Sequence, residues 1–302
     1  MILYSSADIP INFSNGNQTA LILCLGFVMF GVALGLKKET FVSVFQKPKA
    51  LLVGLLSQWI LLPLFCLLLV FLLKPSPGIA LGMFLMAAVP GGNVSNYISK
   101  LSGGNIELSV VLTVISTLLA LFITPLNFSF WSSFYEPANV FQKSFNLDPV
   151  HVAESIIYLT VIPVLVGMLI SKFKAKWAAA IEKPVNLLSG IIFLGFLVMA
   201  FVQNKEAFVA HAGKAFLYVL ALNFGAFIIG YTSAAIAGLK PADRKTISVE
   251  TGIQNAGLAL ILILQFFNKN GEAALTAAIW GIWHIFSGII WALFLRAIHR
   301  NS

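Results

Sequence analysis

The sequence predicts an all-α polytopic membrane protein, folded as a single transmembrane domain of about nine helices over residues 1–302. Hydrophobic residues make up 59% of the chain and charged residues only 10%, and the mean hydropathy is +0.93. Soluble domains carry about 25% charged residues. The alternating pattern that an outer-membrane barrel needs is not visible, so the backbone polar groups must be satisfied within helices.

Nine apolar segments are long enough to cross a bilayer, which takes about 20 helical residues. They lie at residues 19–36, 50–73, 78–102, 105–124, 151–171, 184–203, 214–239, 241–267 and 274–297. Residues 1–18 contain no basic residue and no leading apolar run. They therefore predict a polar arm and not a signal peptide.

The distribution of lysine and arginine predicts the orientation of these spans. Loops on one side collect 14 of the 19 basic residues, and this side is expected to be cytoplasmic. The N-terminus is then outside and the C-terminus inside. The net charge of +8 is interpreted as this topology signal. No nucleic-acid partner is expected, because no basic aromatic patch accompanies the charge. Cys24 and Cys66 lie in apolar runs and are expected to pack as small hydrophobic residues.

Two spans are interrupted at corresponding positions. The third contains PGGNVSN at residues 90–96, and the eighth contains ETGIQNAG at residues 250–257. The offset between them is five spans, an odd number, which predicts an inverted repeat of residues 19–124 and 151–297 with the two breaks crossing near mid-membrane. Unwound backbone at that depth is costly unless protein or ligand satisfies it, so a binding site is predicted at the crossing.

The side chains near the breaks favour a cation or a proton. Of the 11 acidic residues only Glu250 lies deep in a span, and no lysine or arginine lies deep enough to pair with it. Oxygen donors that suit a hard cation cluster around the breaks: Ser95, Asn96, Ser109, Thr113, Gln58 and Gln254. Each residue alone has a simpler explanation. Serine and threonine hydroxyls in membrane helices usually donate to a backbone carbonyl of their own helix, and Gln58 could form a hydrogen bond between two helices. The N-termini of the half-helices suit an anion.

Other interpretations stay open at this point. His284, in WHIFSG, either contacts a substrate or donates a hydrogen bond to a neighbouring helix. A proton-coupled or uncoupled organic-anion exporter would use Glu250 as a titrating group. An intramembrane enzyme would use His284 or Glu250 as an acid or base, but no nucleophile motif and no metal-ligand pair such as HExxH is present, so an enzyme is not expected.

Several motifs together resemble the bile acid:sodium symporter family. They are MFGVALGL, PGGNVSN, GGNIELSVVLTVISTL, ISVETGIQNAGLAL and WHIFSG, and the similarity extends from about residue 27 to residue 290. The resemblance implies a core subdomain that carries the crossed helices and a smaller panel subdomain made of spans one, five and six. It also implies a multi-pass protein of a bacterial inner or plasma membrane.

The family's sites, carried over residue by residue, imply two co-transported Na⁺ ions. The first sodium site would use Ser95, Asn96, Ser109, Thr113 and Glu250. The second would use Gln58, Glu250 and Gln254 with the backbone carbonyls of Thr251 and Ile253. Substrate contacts would come from Asn93, Asn255 and His284. The implied activity is import of an organic anion, a bile acid or a smaller carboxylate such as pantoate, by alternating access. No protein partner is evident.

Overall fold

The computed structural model describes residues 15–35, 44–46, 48–143, 149–203, 205–267 and 270–298. Within these ranges the chain is helical, and its only β feature is one isolated bridge. The main helices are α1 (Asn15–Leu34), α2 (Pro48–Leu73), α3 (Pro77–Ala88), α4 (Val94–Ser102), α5 (Ile106–Ser133), α6 (Glu136–Lys143), α7 (149–173), α8 (Ala175–Gln203), α9 (Lys205–Ile236), α10 (Pro241–Gly252), α11 (Ala256–Phe266) and α12 (Gly271–Ile298). The all-α prediction is confirmed for the described residues. The predicted polar arm lies outside them up to residue 14, and its last residues already belong to α1.

The helices have the length and apolar character of membrane spans. In the described ranges five are long and apolar enough to cross a bilayer: Pro48–Leu73, Ile106–Ser133, Glu154–Phe173, Ala215–Ile236 and Gly271–Ile298. Shorter apolar helices occur at Thr19–Gly31, Pro77–Ala88 and Ala256–Phe266, and the last two belong to the interrupted spans. Large side chains such as Leu72 and Ile236 are 76% and 88% exposed, as lipid-facing residues would be. The chain is a multi-pass membrane protein, and the count of nine spans stays a prediction.

A π-helical turn interrupts α2 at Ser57–Leu61 and orients Gln58 towards the interior, where it is buried. Pro63 follows the turn and has no N–H to donate to the carbonyl of Trp59, four residues earlier. The side-chain amide of Asn127 on α5 donates to that carbonyl instead, at 2.9 Å. The proline and its compensating asparagine therefore hold the π turn in place.

Helices α1, α7 and α8 pack on one another through small residues. Gly167 of α7 lies so close to α1 that a Cβ there would be 2.6 Å from the Cβ of Ala33 and 2.8 Å from the carbonyl oxygen of Phe30. Gly31 of α1 leaves space for side chains of α8, since a Cβ there would lie 2.5 Å from Oδ1 of Asn186. Close backbone approach of this kind drives helix association in lipid, where apolar burial gives no advantage.

The outer ends of the broken helices are tied to distant parts of the chain. On α10, Asp243 accepts a hydrogen bond from the side-chain amide of Asn105, at the start of α5, at 2.8 Å. Beside the start of α3, Ser76 donates to the carboxylate of Glu272, in the first turn of α12, at 2.8 Å. Each interrupted span therefore begins against the N-terminus of the helix that follows the other interrupted span.

Candidate cation and substrate site

The two breaks satisfy each other's backbone. The N–H of Gly92 donates to the carbonyl of Ile253 at 2.8 Å, and the N–H of Asn255 donates to the carbonyl of Pro90 at 2.9 Å. These bonds form the isolated antiparallel bridge of the fold. The unwound segments cross in direct contact, and part of the cost of unwinding is met by protein.

The breaks are shorter than the sequence predicts. The unwound residues are 89–93 and 253–255, because helical hydrogen bonding continues to the edge of each segment. Ser95 and Asn96 therefore lie in the first turn of α4, and Glu250 lies in the last turn of α10. Their expected position in unwound backbone is corrected accordingly: these side chains are held by regular helix beside the breaks.

The break glycines are required by close approach. A Cβ on Gly91 would lie 3.0 Å from Oε2 of Glu250, and a Cβ on Gly92 would lie 2.8 Å from the backbone oxygen of Gln254. Neither glycine has a positive φ. Only a residue without a side chain lets the first break lie against both the carboxylate and the second break.

Glu250 is fully buried in a cluster of oxygen atoms from α4 and α5. Ser95 donates to its Oε1 at 2.5 Å, Thr113 donates to its Oε2 at 3.1 Å, and Ser109 also contacts Oε1. The Ser109 hydroxyl lies 2.9 Å from Oδ1 of Asn96 as well, although it has one proton to give. The structure thus brings together the side-chain oxygens of all five residues expected at the first cation site.

The cluster has no protein counter-charge in the described part of the chain. The groups that act on the Glu250 carboxylate are hydroxyls and an amide, with no lysine, arginine or histidine among them. The described residues also contain no group of three or more His, Cys, Asp or Glu side chains, the ligands that transition metals favour. A single carboxylate with neutral oxygens is a donor set that suits a hard cation.

The side chains expected at the second cation site lie at the C-terminal end of α10, next to Glu250. The amide nitrogen of Gln58 donates to the carbonyl of Glu250 at 3.1 Å, and that of Gln254 donates to the carbonyl of Thr251 at 2.9 Å. The side-chain oxygens of both glutamines are buried without a hydrogen-bond partner. The carbonyl of Ile253 already accepts from the first break and keeps one lone pair free.

Asn223 of α9 is a residue of this site that the sequence interpretation missed. Its side-chain nitrogen donates to the carbonyl of Gly252, the last residue of α10, at 2.7 Å. Its side-chain oxygen accepts from the hydroxyl of Ser287 on α12 at 2.6 Å. The signal in the sequence was one asparagine within the apolar run FLYVLALNFGAF, which alone resembles an ordinary helix-bridging polar residue.

Two of the three expected substrate residues lie at the starts of half-helices. Asn93 immediately precedes α4, and its side-chain oxygen is buried without a partner. Asn255 immediately precedes α11, caps it by accepting from the N–H of Leu258 at 3.0 Å, and keeps a buried amide nitrogen without a partner. Both asparagines therefore present an unused polar atom beside a positive helix end.

His284 is placed differently. Its Nδ1 donates to the carbonyl of Trp280, one turn earlier on α12, at 2.6 Å, so the hydrogen bond is to its own helix and not to a neighbouring one. A small cavity of about 10 Å³, room for about one water, lies between α1, the first break, α5 and α7. Its lining residues are Met29, Ala33, Asn93, Thr113, Val114, Thr117 and Val164. Asn93 is the expected substrate residue that faces this cavity, and His284 does not line it.

Crossed, interrupted helices around a buried cluster of oxygen donors are typical of cation-coupled membrane transporters. Comparison with known proteins gives the family. Residues 22–211 match the model of the Sodium Bile acid symporter family, and the chain belongs to that family. It is a sodium-dependent transporter and not an enzyme.

Relatives from bacteria, plants and animals cover most of this chain. The "Uncharacterized sodium-dependent transporter YocS" of Bacillus subtilis is 30% identical over 91% of this chain and 82% of its own length. The "Probable sodium/metabolite cotransporter BASS1, chloroplastic" of Arabidopsis thaliana is 28% identical over 97% of this chain and 70% of its own length. The human "P3 protein" is 29% identical over 85% of this chain and 53% of its own length.

Proposed function

We propose that this protein is a secondary active symporter that imports a small organic anion together with two Na⁺ ions by alternating access. The observation that carries the proposal is the Glu250 carboxylate, which is buried among oxygen donors with no counter-charge from any described residue. An unpaired buried carboxylate is costly in a membrane interior. A bound cation removes that cost, and the family supplies sodium as the cation.

One sodium ion would bind to the carboxylate, the three hydroxyls and Asn96. Its support is the density of oxygen atoms in the cluster, since the Ser109 hydroxyl alone lies within hydrogen-bond distance of acceptor oxygens on both Glu250 and Asn96. The other ion would bind to the free side-chain oxygens of Gln58 and Gln254, beside the carbonyl end of α10. The negative end of a helix dipole favours a cation at that position.

The organic anion would bind at the starts of α4 and α11. These half-helix N-termini direct positive dipole ends and backbone N–H groups towards the crossing. Asn255 has an unused amide N–H group there that can donate to an anion, and the amide nitrogen of Asn93 makes only a long contact of 3.8 Å with the sulfur of Met29. A bile acid and a smaller carboxylate such as pantoate share the carboxylate that this arrangement would recognise. Two sodium ions with one monoanion would move one net positive charge, so transport would gain about 2.3 kcal/mol per 100 mV of membrane potential.

The proposed architecture has nine spans and an inverted repeat, with the N-terminus outside and the C-terminus in the cytoplasm of a bacterial inner or plasma membrane. Packing of α1, α7 and α8 on one another supports a separate panel of spans one, five and six. The helices that follow the two interrupted spans support the repeat, because each starts with an Asn–x–Glu sequence. Asn105 and Asn270 immediately precede α5 and α12, and Glu107 and Glu272 lie in their first turns. Both asparagines cap their helix through the N–H three residues later.

Thermal unfolding of the purified protein across sodium concentrations, with potassium holding the ionic strength constant, tests the proposal. Sodium at 100 times its dissociation constant should stabilise the wild type by about 2.7 kcal/mol. Glu250→Ala should lose this response, and Glu136→Ala, at an exposed position of α6, should keep it. Uptake of labelled pantoate and of a labelled bile acid into proteoliposomes, with an inward sodium gradient and without one, tests coupling and substrate. Unfolding of the wild type that responds to pH and not to sodium would replace the proposal with the proton-linked exporter.

A further inference from the structure

Helix α10 ends in a cap made of three side-chain amides. The last carbonyls of a helix have no partner within it. Here three consecutive ones each accept from an amide nitrogen: Glu250 from Gln58 at 3.1 Å, Thr251 from Gln254 at 2.9 Å and Gly252 from Asn223 at 2.7 Å. The amides come from α2, from the break itself and from α9, so the cap joins three separate parts of the fold at the candidate cation site.

The three amides differ at their oxygen atoms. The oxygens of Gln58 and Gln254 are buried and have no partner, whereas the oxygen of Asn223 accepts from Ser287 at 2.6 Å. A carbonyl oxygen without a partner is available to a cation, and one already held by a hydroxyl is committed to the protein. The cap therefore contains two amides suited to bind a cation and one that is held fixed.

We propose that Asn223 is a positioning residue for sodium binding and not a ligand. Clamped between α12 and the end of α10, it fixes the carbonyl end of the helix that carries Glu250. The carboxylate and the glutamine oxygens are then held in place for sodium before the ion arrives, so less ordering is left for the ion to impose. This inference rests on the proposed sodium coupling.

The packing of α9 and α12 against the end of α10 leaves Asn223 little conformational freedom. A Cβ on Gly252 would lie 2.2 Å from Cδ1 of Phe227, one turn beyond Asn223 on α9. Ser248, on α10, donates to the carbonyl of Phe227 at 2.6 Å and accepts from the indole N–H of Trp291 at 2.8 Å. Ser248 thus ties the same helices together without touching a carbonyl of the cap, which makes it a matched control.

The test compares the sodium dependence of thermal unfolding for the wild type, Asn223→Leu, Ser287→Ala and Ser248→Ala. Asn223→Leu keeps roughly the size of the side chain, adds no charge, and removes the N–H group that donates to the carbonyl of Gly252. Ser287→Ala removes one hydroxyl and frees the asparagine, and it keeps the proposal testable if the leucine variant does not fold. Both variants should raise the sodium concentration at half-maximal stabilisation about tenfold. That is the weakening of sodium binding expected when one buried hydrogen bond that positions the site is lost. Ser248→Ala should lower the melting temperature in potassium and leave the sodium midpoint unchanged.

Sodium-dependent uptake separates a positioning residue from a ligand. If Asn223 positions the site, Ser287→Ala should retain the wild-type Hill coefficient for sodium at a higher half-saturating concentration. The inference is overturned if Ser287→Ala keeps the wild-type midpoint, or if Ser248→Ala shifts it equally. A wild type whose unfolding does not distinguish sodium from potassium overturns the proposed function itself, which is a different result from these two.

Discussion

Substituting Gly92 with alanine should separate the two breaks. The added Cβ would lie 2.8 Å from the backbone oxygen of Gln254 and 3.1 Å from its carbonyl carbon. Because both atoms belong to the main chain, no side chain can rotate to relieve the contact. The two unwound segments would have to move apart, which would stretch the hydrogen bonds from Gly92 to Ile253 and from Asn255 to Pro90.

The expected destabilisation is about 2–6 kcal/mol. Overpacking a tight site costs about 1–3 kcal/mol, and each of the two hydrogen bonds contributes about 0.5–1.5 kcal/mol. The matched control is Gly190→Ala in α8, where a new Cβ would meet no atom within 4 Å. An alanine there should be neutral or stabilising by about 0.5–1 kcal/mol, because glycine is unfavourable within a helix.

Thermal unfolding in detergent measures the stability of both variants, and sodium-dependent uptake measures their activity. Gly92→Ala should melt several degrees below the wild type and lose coupled uptake, and Gly190→Ala should do neither. The reasoning is refuted if Gly92→Ala and Gly190→Ala melt at the same temperature and transport equally, since the close crossing would then have no energetic weight.

Three further substitutions probe other parts of the structure. Thr113→Val keeps the side-chain shape but removes a hydroxyl from the carboxylate, so the sodium midpoint in uptake should rise about tenfold; Thr232→Val, at an exposed hydroxyl, should leave it unchanged. Asn127→Leu should lower the free energy of unfolding by about 1–3 kcal/mol, because the carbonyl of Trp59 would lose its only replacement donor in the described structure. An unchanged melting temperature would contradict this role of Asn127. Gly167→Ala should destabilise the packing of α7 on α1 by about 1–3 kcal/mol, which equal melting temperatures for variant and wild type would exclude.

Much of the candidate site could be predicted from the sequence because few polar groups occur in an apolar chain. A single deep acid without a counter-charge, Glu250, and two glycine-rich interruptions are enough to indicate where oxygen donors should meet. The structure does bring Ser95, Ser109 and Thr113 to that acid. The chemistry of lipid, which penalises every unsatisfied polar group, makes such residues informative.

Other features depended on contacts that no local pattern reveals. The helix α10 continues past Glu250 because backbone hydrogen bonding persists until the chain reaches the other break, and that limit is set by a partner segment far away in sequence. The role of Asn223 depends on Gly252 and Ser287, one on each side of it. The π turn before Pro63 leaves the apolar pattern of α2 intact, so periodicity gives no sign of it.

The hydrogen bonds of the candidate site have a consequence for how the protein is made. Ser95 and Glu250 are 155 positions apart, and Gln58 contacts a carbonyl 192 positions away. A chain that enters the membrane from its N-terminus therefore exposes the hydroxyls of α4 and α5 long before the carboxylate is synthesised. Contacts at such separations form late and slowly. Until α10 emerges from the ribosome, the first half of the protein lies in the membrane with polar side chains that still lack their partners. During this interval the nascent chain is most exposed to quality-control machinery.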